Sequence, residues 1–298
     1  MEEQLYRSLY KLVGSLAHPR KKKIRFNDLI IVMVYLWSML NDRPVCWACD
    51  VNNWGAWLIF ELPSDSTMSR RLRTVSVQQL LERAMSAGSD LFGPAPLVKQ
   101  IDSKPMYVGP YSKDRDAKHG RVAAGQLARG YRLHTLNHGR TVRFFTLAPM
   151  NEHDATIAPV LLDKLEGGGY AVVDNAYDSN DLHGRAAAAN HQLVAPPCAS
   201  NKGVRDLRYN RPERIRALDL LDSPLARRGS GGEFGRDLYN CRQRVESGYG
   251  TLTLLGLNYL PTWVLGPRRL ALWGRGQDPD PSASPGKKQT TYEVDGKS

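Results

Sequence analysis

Cysteine is scarce in this chain: Cys46, Cys49, Cys198 and Cys241 are the only four in 298 residues. So few exclude a small disulfide-stapled scaffold and point to a reducing compartment. Cys46-Trp47-Ala48-Cys49 has CxxC spacing, but no second cysteine pair or histidine pair completes a zinc site, and no redox-fold pattern surrounds it. Long apolar runs are also missing. The longest, Leu29 to Leu40, is about 12 residues including Ser38, short of the roughly 20 that span a bilayer, and it predicts a buried helix in a soluble protein. The start, Met1-Glu2-Glu3-Gln4, lacks the basic-then-apolar layout of a secretory signal. Acidic charge is in the minority, with 30 Asp/Glu against 41 Lys/Arg and a net charge of +11. Residues 198–275 hold much of the excess, 14 Lys/Arg against 7 Asp/Glu. A basic segment of this kind suits a polyanion, because Lys and Arg neutralise phosphates and release their counterions.

What is present suffices for folding. At 42% hydrophobic content the chain can bury one large core or two modest ones. Residues 1–93 predict helices throughout. Leu5, Leu9, Leu12, Val13 and Leu16 recur at helical spacing, Asn27 can cap a second helix running to Asn41, and Val77 to Leu91 suggests another. Between them, Asp65 or Ser66 can cap a short helix that displays Arg70, Arg71 and Arg73, a candidate DNA-binding face.

From residue 94 strands and helices mix. Leu97 to Ile101 reads as a short strand. Tyr131–Leu136 and Thr141–Leu147 flank Asn137-His138-Gly139-Arg140, a hairpin with Gly139 in its turn. Thr156 can cap a helix with Pro159 in its first turn, stopped by Gly167-Gly168-Gly169. A strand (170–173), a helix (179 to about 190) and a strand (192–195) follow, so the order predicts an α/β fold with a mixed sheet and flanking helices, preceded by an all-helical N-terminal region. Residues 198–235 read as a flexible insertion, 236–256 as a helix, 263–273 as a packed segment and 276–298 as a disordered tail.

Three acids stand out against this layout. Asp102 ends the first strand, Asp174 ends the second, and Glu246 lies on the later helix. Oxygen ligands suit Mg²⁺, which takes one or two carboxylates and fills its octahedron with water and substrate phosphate. Two such ions about 4 Å apart can activate an attacking hydroxyl and stabilise the leaving oxygen of an in-line displacement. On a helix advancing about 100° per residue, Tyr239, Arg242, Glu246 and Thr253 fall within about 60° of one another, while Leu238, Val245, Tyr249 and Leu252 form an adjacent face that can pack on the sheet. Asp178 reads as a helix cap beside Ser179 rather than a fourth ligand, His153 and Asp154 as capping or supporting residues, and His119 and His134 as surface or hairpin residues.

Ile101-Asp102-Ser103-Lys104-Pro105, Asp174-Asn175-Ala176-Tyr177-Asp178-Ser179 and Tyr239-x2-Arg242-x3-Glu246 together make the chain similar, over roughly residues 25 to 273, to the DDE transposases of the IS4/IS5-like insertion-sequence group. Asn151-Glu152-His153-Asp154 also resembles that family. The resemblance implies an RNase H-like catalytic domain at 94–275, with Asp102, Asp174 and Glu246 holding two Mg²⁺ or Mn²⁺ ions. It further implies strand cleavage and strand transfer at terminal inverted repeats. Tyr239 and Arg242 would contact double-stranded DNA of the element ends and target. The 1–93 region would bind DNA ends or support a homodimer in the synaptic complex, in the bacterial cytoplasm at the nucleoid and away from membranes. One departure is plain: the family signature ends in a lysine where this chain has Thr253, and no lysine occurs between Lys202 and Lys287. Two alternatives therefore stand beside the transposase reading, a non-catalytic DNA-binding remnant and a stand-alone RNase H-like nuclease.

Overall fold

Apolar side chains at helical spacing in the first 90 residues need a partner surface, and they find it in each other and in the far end of the sheet. The computed structural model describes residues 2–17, 24–90, 93–122, 125–139, 141–197, 205–222 and 234–243, and positions 249, 260, 261, 264 and 270. Helices α1 (Glu2–Leu16), α2 (Asp28–Leu40), α3 (Asp65–Arg71) and α4 (Val75–Asp90) make up the N-terminal region. The Asn27 side chain caps α2 as expected, its Oδ1 accepting from Ile30 N at 2.9 Å. For α3 the cap is Ser64, one residue ahead of the expected pair.

Two 3₁₀ turns, Trp47–Cys49 and Val51–Asn53, fill the space between α2 and α3. They bring Trp54 against Trp37, with ring centroids 5.1 Å apart, and Tyr6 packs edge-on to both. The CxxC segment serves this packing: Cys49 Sγ donates to the Val45 carbonyl, Cys46 is exposed, and both thiols are free. Among the described residues no helix is long and apolar enough to cross a membrane.

Strand β1 (Val98–Tyr107) runs through the middle of the sheet. Antiparallel to it lies β3 (Leu127–His138), whose other edge pairs with β4 (Thr141–Pro149) and, further along, with the short β2 (Lys118–Arg121). Gly139 turns the β3–β4 hairpin with φ 70°. On the opposite side β5 (Gly169–Val172) and β6 (His191–Val194) are parallel additions. The order β4-β3-β1-β5-β6, three antiparallel strands continued by two parallel ones with helices in the last two crossovers, is an RNase H-like α/β arrangement.

The crossover helices α5 (Asp154–Leu162) and α6 (Asn180–Ala188) cover one face, where Ile101, Leu136, Phe144, Leu161, Ala171 and Leu193 are buried. Helices α7 (Pro212–Asp222) and α8 (Phe234–Asn240) cover the other at Val172, Val194 and Leu238. A third cluster joins α1, α2 and α4 to Met106, Val108 and Tyr131 of the sheet and to Leu260, Val264 and Leu270. Each large aliphatic side chain so buried contributes roughly 1.5–3 kcal/mol, so the helical region and the sheet share stabilisation across residue 93.

Four expectations need correction. β1 does not stop at Ile101 but continues to Tyr107 through Pro105. Strand alternation turns residue 105's nitrogen away from β3, past the end of β5, where a missing N–H leaves no ladder bond unmade. α5 begins at Asp154, after the N-cap residue His153, so Pro159 sits inside the helix. The segment read as a flexible insertion contains α7, with Pro212 at its first position, where a missing N–H costs nothing. α8 ends at Asn240 and Cys241 and Arg242 form a turn, after which Gln243 and Tyr249 are again helical, so the one continuous helix expected over 236–256 is interrupted at this turn. The expected tail at 276–298 and most of 244–275 lie outside the described residues.

Candidate active site

Strand register brings the first two acids together. The last β1–β5 pair is Gln100 with Val172, and two residues further along each chain stand Asp102 and Asp174. Equal offsets in a parallel pair keep both on the same pleat, and adjacent strands lie about 4.8 Å apart. Asp102 is thus mid-strand, paired across β1–β3 with Thr135, and the strand it faces on the other side has already ended. Gly169 helps set this register. Its φ is 110°, and a Cβ there would come within 2.2 Å of the Leu97 carbonyl oxygen, so β5 enters the sheet with no side chain between it and β1.

The two carboxylates differ in environment. Asp102 is buried, and its Oδ1 accepts from Ser103 N at 2.9 Å. Burial pushes its pKa up, while the Arg242 guanidinium and the Ser103 amide pull it down and Asp174 pushes it up further. Asp174 has 41% of its side chain exposed. Its Oδ1 accepts from Asn175 N at the head of the 3₁₀ turn Asn175–Tyr177. One atom faces both acids: Arg242 Nη2 is 3.5 Å from Asp102 Oδ2 and 3.4 Å from Asp174 Oδ2. Burial disfavours the Arg242 charge, but Asp102 first and Asp174 second outweigh it and raise its pKa. The Arg242 Nε is buried and finds no hydrogen-bond partner among the described residues.

The α8 side of the site rests on the sheet as its apolar face predicts. Leu238 is buried against Val172 and Val194, with Tyr239 partly buried beside them. Further on, the Tyr249 hydroxyl lies 2.6 Å from Thr135 Oγ1, and Lys104 Nζ donates to the Tyr249 carbonyl at 3.4 Å. Lys104 follows Asp102 by two residues on the same strand face, and burial lowers its pKa. Glu246 and Thr253 lie outside the described residues.

Two closed charge clusters flank the open pair. In the first, Asp154 Oδ1 accepts from Arg132 Nη1 at 2.9 Å and from Ser103 Oγ at 3.2 Å, next to Asp102 in sequence. His134, expected as a surface or hairpin residue, lies in the β3 arm of the hairpin and is fully buried beside Asp154. Burial pushes its pKa down to about 4; Asp154 pulls it up and Arg132 down, so it is neutral at neutral pH. His119, by contrast, is exposed as expected.

In the second cluster Asp178 receives a two-pronged contact from α7: Arg214 Nε donates to Oδ1 at 2.8 Å and Nη2 to Oδ2 at 2.6 Å. His183 Nε2 lies 3.3 Å from the same Oδ1, and Asn210 accepts from Arg214 Nη1 at 2.6 Å. Asp178 is therefore not the cap of α6; Ser179 is, its hydroxyl accepting from Leu182 N. Arg70 and Arg73 are exposed. Arg71 turns inward to Asp28 at 2.5 Å and to the Phe26 carbonyl at 2.7 Å, fastening α3 to α2. No contact among the described residues links these three arginines to the acid pair.

Hard carboxylate oxygens converging beside an open strand edge suit Mg²⁺ or Mn²⁺. Among the described residues no three His, Cys, Asp or Glu side chains gather into a metal site.

Comparison with known proteins places residues 94–260 in a match to the family described as "Transposase DDE domain". No curated protein matches. Among solved structures, the Mos1 strand transfer complex is 14% identical over 78% of this chain and 80% of that one, with a TM-score of 0.25. The Mos1 transposase paired-end complex with the left transposon end is 14% identical over 82% of each chain, also at 0.25.

Proposed function

We propose, from the premise that the chain belongs to the DDE-domain transposases, that it cleaves DNA strands at the terminal inverted repeats of a mobile element and joins them to a target. The observation that carries this reading is the convergence of Asp102 and Asp174 two residues beyond the last β1–β5 pair. Asp102 and Asp174, with Glu246, are the residues that would hold two divalent cations. When bound, such ions lower the pKa of an attacking hydroxyl and stabilise the leaving oxygen.

The protein's own contribution is placement. β1 fixes Asp102 through its own and its neighbour's backbone, and the Ser103–Asp154–Arg132 contacts brace the strand from the opposite face. Arg242, hydrogen-bonded to the Tyr239 side chain, stands at the acid pair, and both residues suit a phosphate backbone. Exposed Arg70 and Arg73 in the helical region suit a second stretch of the duplex, and a dimer would present two such surfaces to paired ends. A soluble protein working on chromosomal DNA in the bacterial cytoplasm fits these parts.

Asp174→Asn should abolish Mg²⁺- or Mn²⁺-dependent cleavage of the cognate DNA end, with gel-shift affinity for that DNA close to wild type. Wild-type cleavage by this variant would overturn the assignment. Thr253 favours a second reading, a DNA-binding remnant without catalysis. Purified protein that shifts the duplex but nicks it with neither Mg²⁺ nor Mn²⁺ would decide for the remnant. A stand-alone nuclease would nick without ever joining a cut end to target DNA.

A further inference from the structure

We propose that Arg242 is the resident counter-ion of the Asp102–Asp174 pair, standing in the place of a divalent cation until a DNA phosphate draws its guanidinium away. The inference rests on the reading above in which the two aspartates are metal ligands. Two carboxylates held on one pleat of adjacent strands repel each other, and in the absence of a metal some positive charge has to offset them. Arg242 does so with one nitrogen almost equidistant from both, at 3.4 and 3.5 Å.

The fit is loose. Charge-assisted N–H···O contacts normally lie at about 2.7–2.9 Å, and the Arg214–Asp178 pair reaches 2.6 and 2.8 Å within the same domain. A buried Arg242 Nε with no partner among the described residues leaves donor capacity unused. The guanidinium also hydrogen-bonds to the Tyr239 side chain, but the contact with the two aspartates offsets charge without a tight geometry of its own.

The same geometry makes guanidinium and metal mutually exclusive. Mg²⁺ binds carboxylate oxygens at about 2.0–2.1 Å, and an ion that close to Asp102 Oδ2 and Asp174 Oδ2 needs the region that Nη2 fills. Metal entry therefore requires Arg242 to leave, and an arginine leaving an acidic pocket is best received by phosphate, which accepts its planar fork. Linkage makes the effect reciprocal: whatever DNA does to metal affinity through Arg242, metal does to DNA affinity. The free protein would hold ions poorly and load them once a duplex is seated.

The test is Mn²⁺ binding to the full chain, read by electron paramagnetic resonance and independent of turnover. Arg242→Gln without DNA should bind Mn²⁺ about tenfold tighter than wild type, within the usual range of site–site coupling. A short DNA duplex should tighten the wild-type affinity by a similar factor and leave Arg242→Gln unchanged. Arg242→Lys, which keeps the charge but shortens the reach, should fall between the two. Equal or weaker Mn²⁺ binding by folded Arg242→Gln would overturn the proposal. So would a wild-type affinity indifferent to DNA, an arm that needs no variant to fold. Asp174→Asn separates the two levels: it should lose this Mn²⁺ site, and full retention would sink the metal-ligand reading rather than the role of Arg242.

Discussion

Arg214 and Arg242 each face aspartates of the segment 174–178, and the two contacts are built in opposite ways. Arg214 closes on Asp178 with both prongs at 2.6 and 2.8 Å, the pair only 8% and 1% exposed, with Asn210 and His183 beside it. Arg242 reaches two aspartates with one nitrogen at 3.4 and 3.5 Å, and Asp174 opposite it is 41% exposed. The closed pair ties the end of the Asp174 turn to α7 and thence to the sheet. The open pair leaves room for exchange of one cation for another. Burial and satisfied geometry mark charge that builds the fold, while solvent access and unfilled donors mark charge that is free to act.

That contrast can be broken by measurement. Arg214→Ala removes the guanidinium from the buried Asp178 carboxylate, and breaking such a buried pair typically costs about 3–5 kcal/mol, which urea unfolding should show. A loss below about 1 kcal/mol, the scale of an exposed pair, would erase the distinction between the two arginines. The His134 cluster gives a second handle. Its folded pKa of about 4 lies below the ordinary histidine value, so between about pH 6.5 and 4 the unfolded chain binds the extra proton. Stability should fall with decreasing pH across that window, by up to about 1.4 kcal/mol per pH unit. His138 is pushed down to about 4 as well, so His134→Gln should make this limb shallower without flattening it in a pH series of thermal melts; an unchanged slope would show that burial of His134 does not shift its titration. The smallest effect belongs to the surface. Arg70→Ala and Arg73→Ala should each change stability by less than about 0.5 kcal/mol while lowering the salt slope of DNA binding by about one. Arg71→Ala should do the reverse, because its partner Asp28 is 14% exposed and the arginine 11%.

Much of the fold could be read from local chemistry. The Asn27 cap, the Gly139 hairpin and the Ser179-led helix each depend on residues within a few positions of one another, and each appears where its signal lies; the helix expected to run up to Gly167 instead stops at Leu162. Non-local relations could not be read this way. That β1 runs through Pro105 depends on β5 ending at Val172, which is a fact about register and not about either segment. His134 looks polar in a hairpin strand, yet it is fully buried there, 3.7 Å from Asp154 of the following helix. Pro212 followed by Ile215, Leu218 and Leu221 was a readable signal for α7, masked by the arginines and prolines around it. Asp102 and Asp174 were legible as acids at the ends of apolar runs, but their shared arginine was not, because Arg242 lies on a turn just past the end of α8 at Asn240.

One strand has a mechanical consequence. β1 carries Asp102 and, four residues later, Met106, which is buried in the cluster that holds α1, α2 and α4 together. At about 3.3 Å per residue the acid and that anchor are only about 13 Å apart along a stiff hydrogen-bonded ladder. The family match begins at residue 94, but the packing does not. A fragment cut there would uncover Met106, Val108 and Tyr131, and with them the end of the strand that aims the acid. A load on the helices would pass along β1 as along a short lever, straight to Asp102.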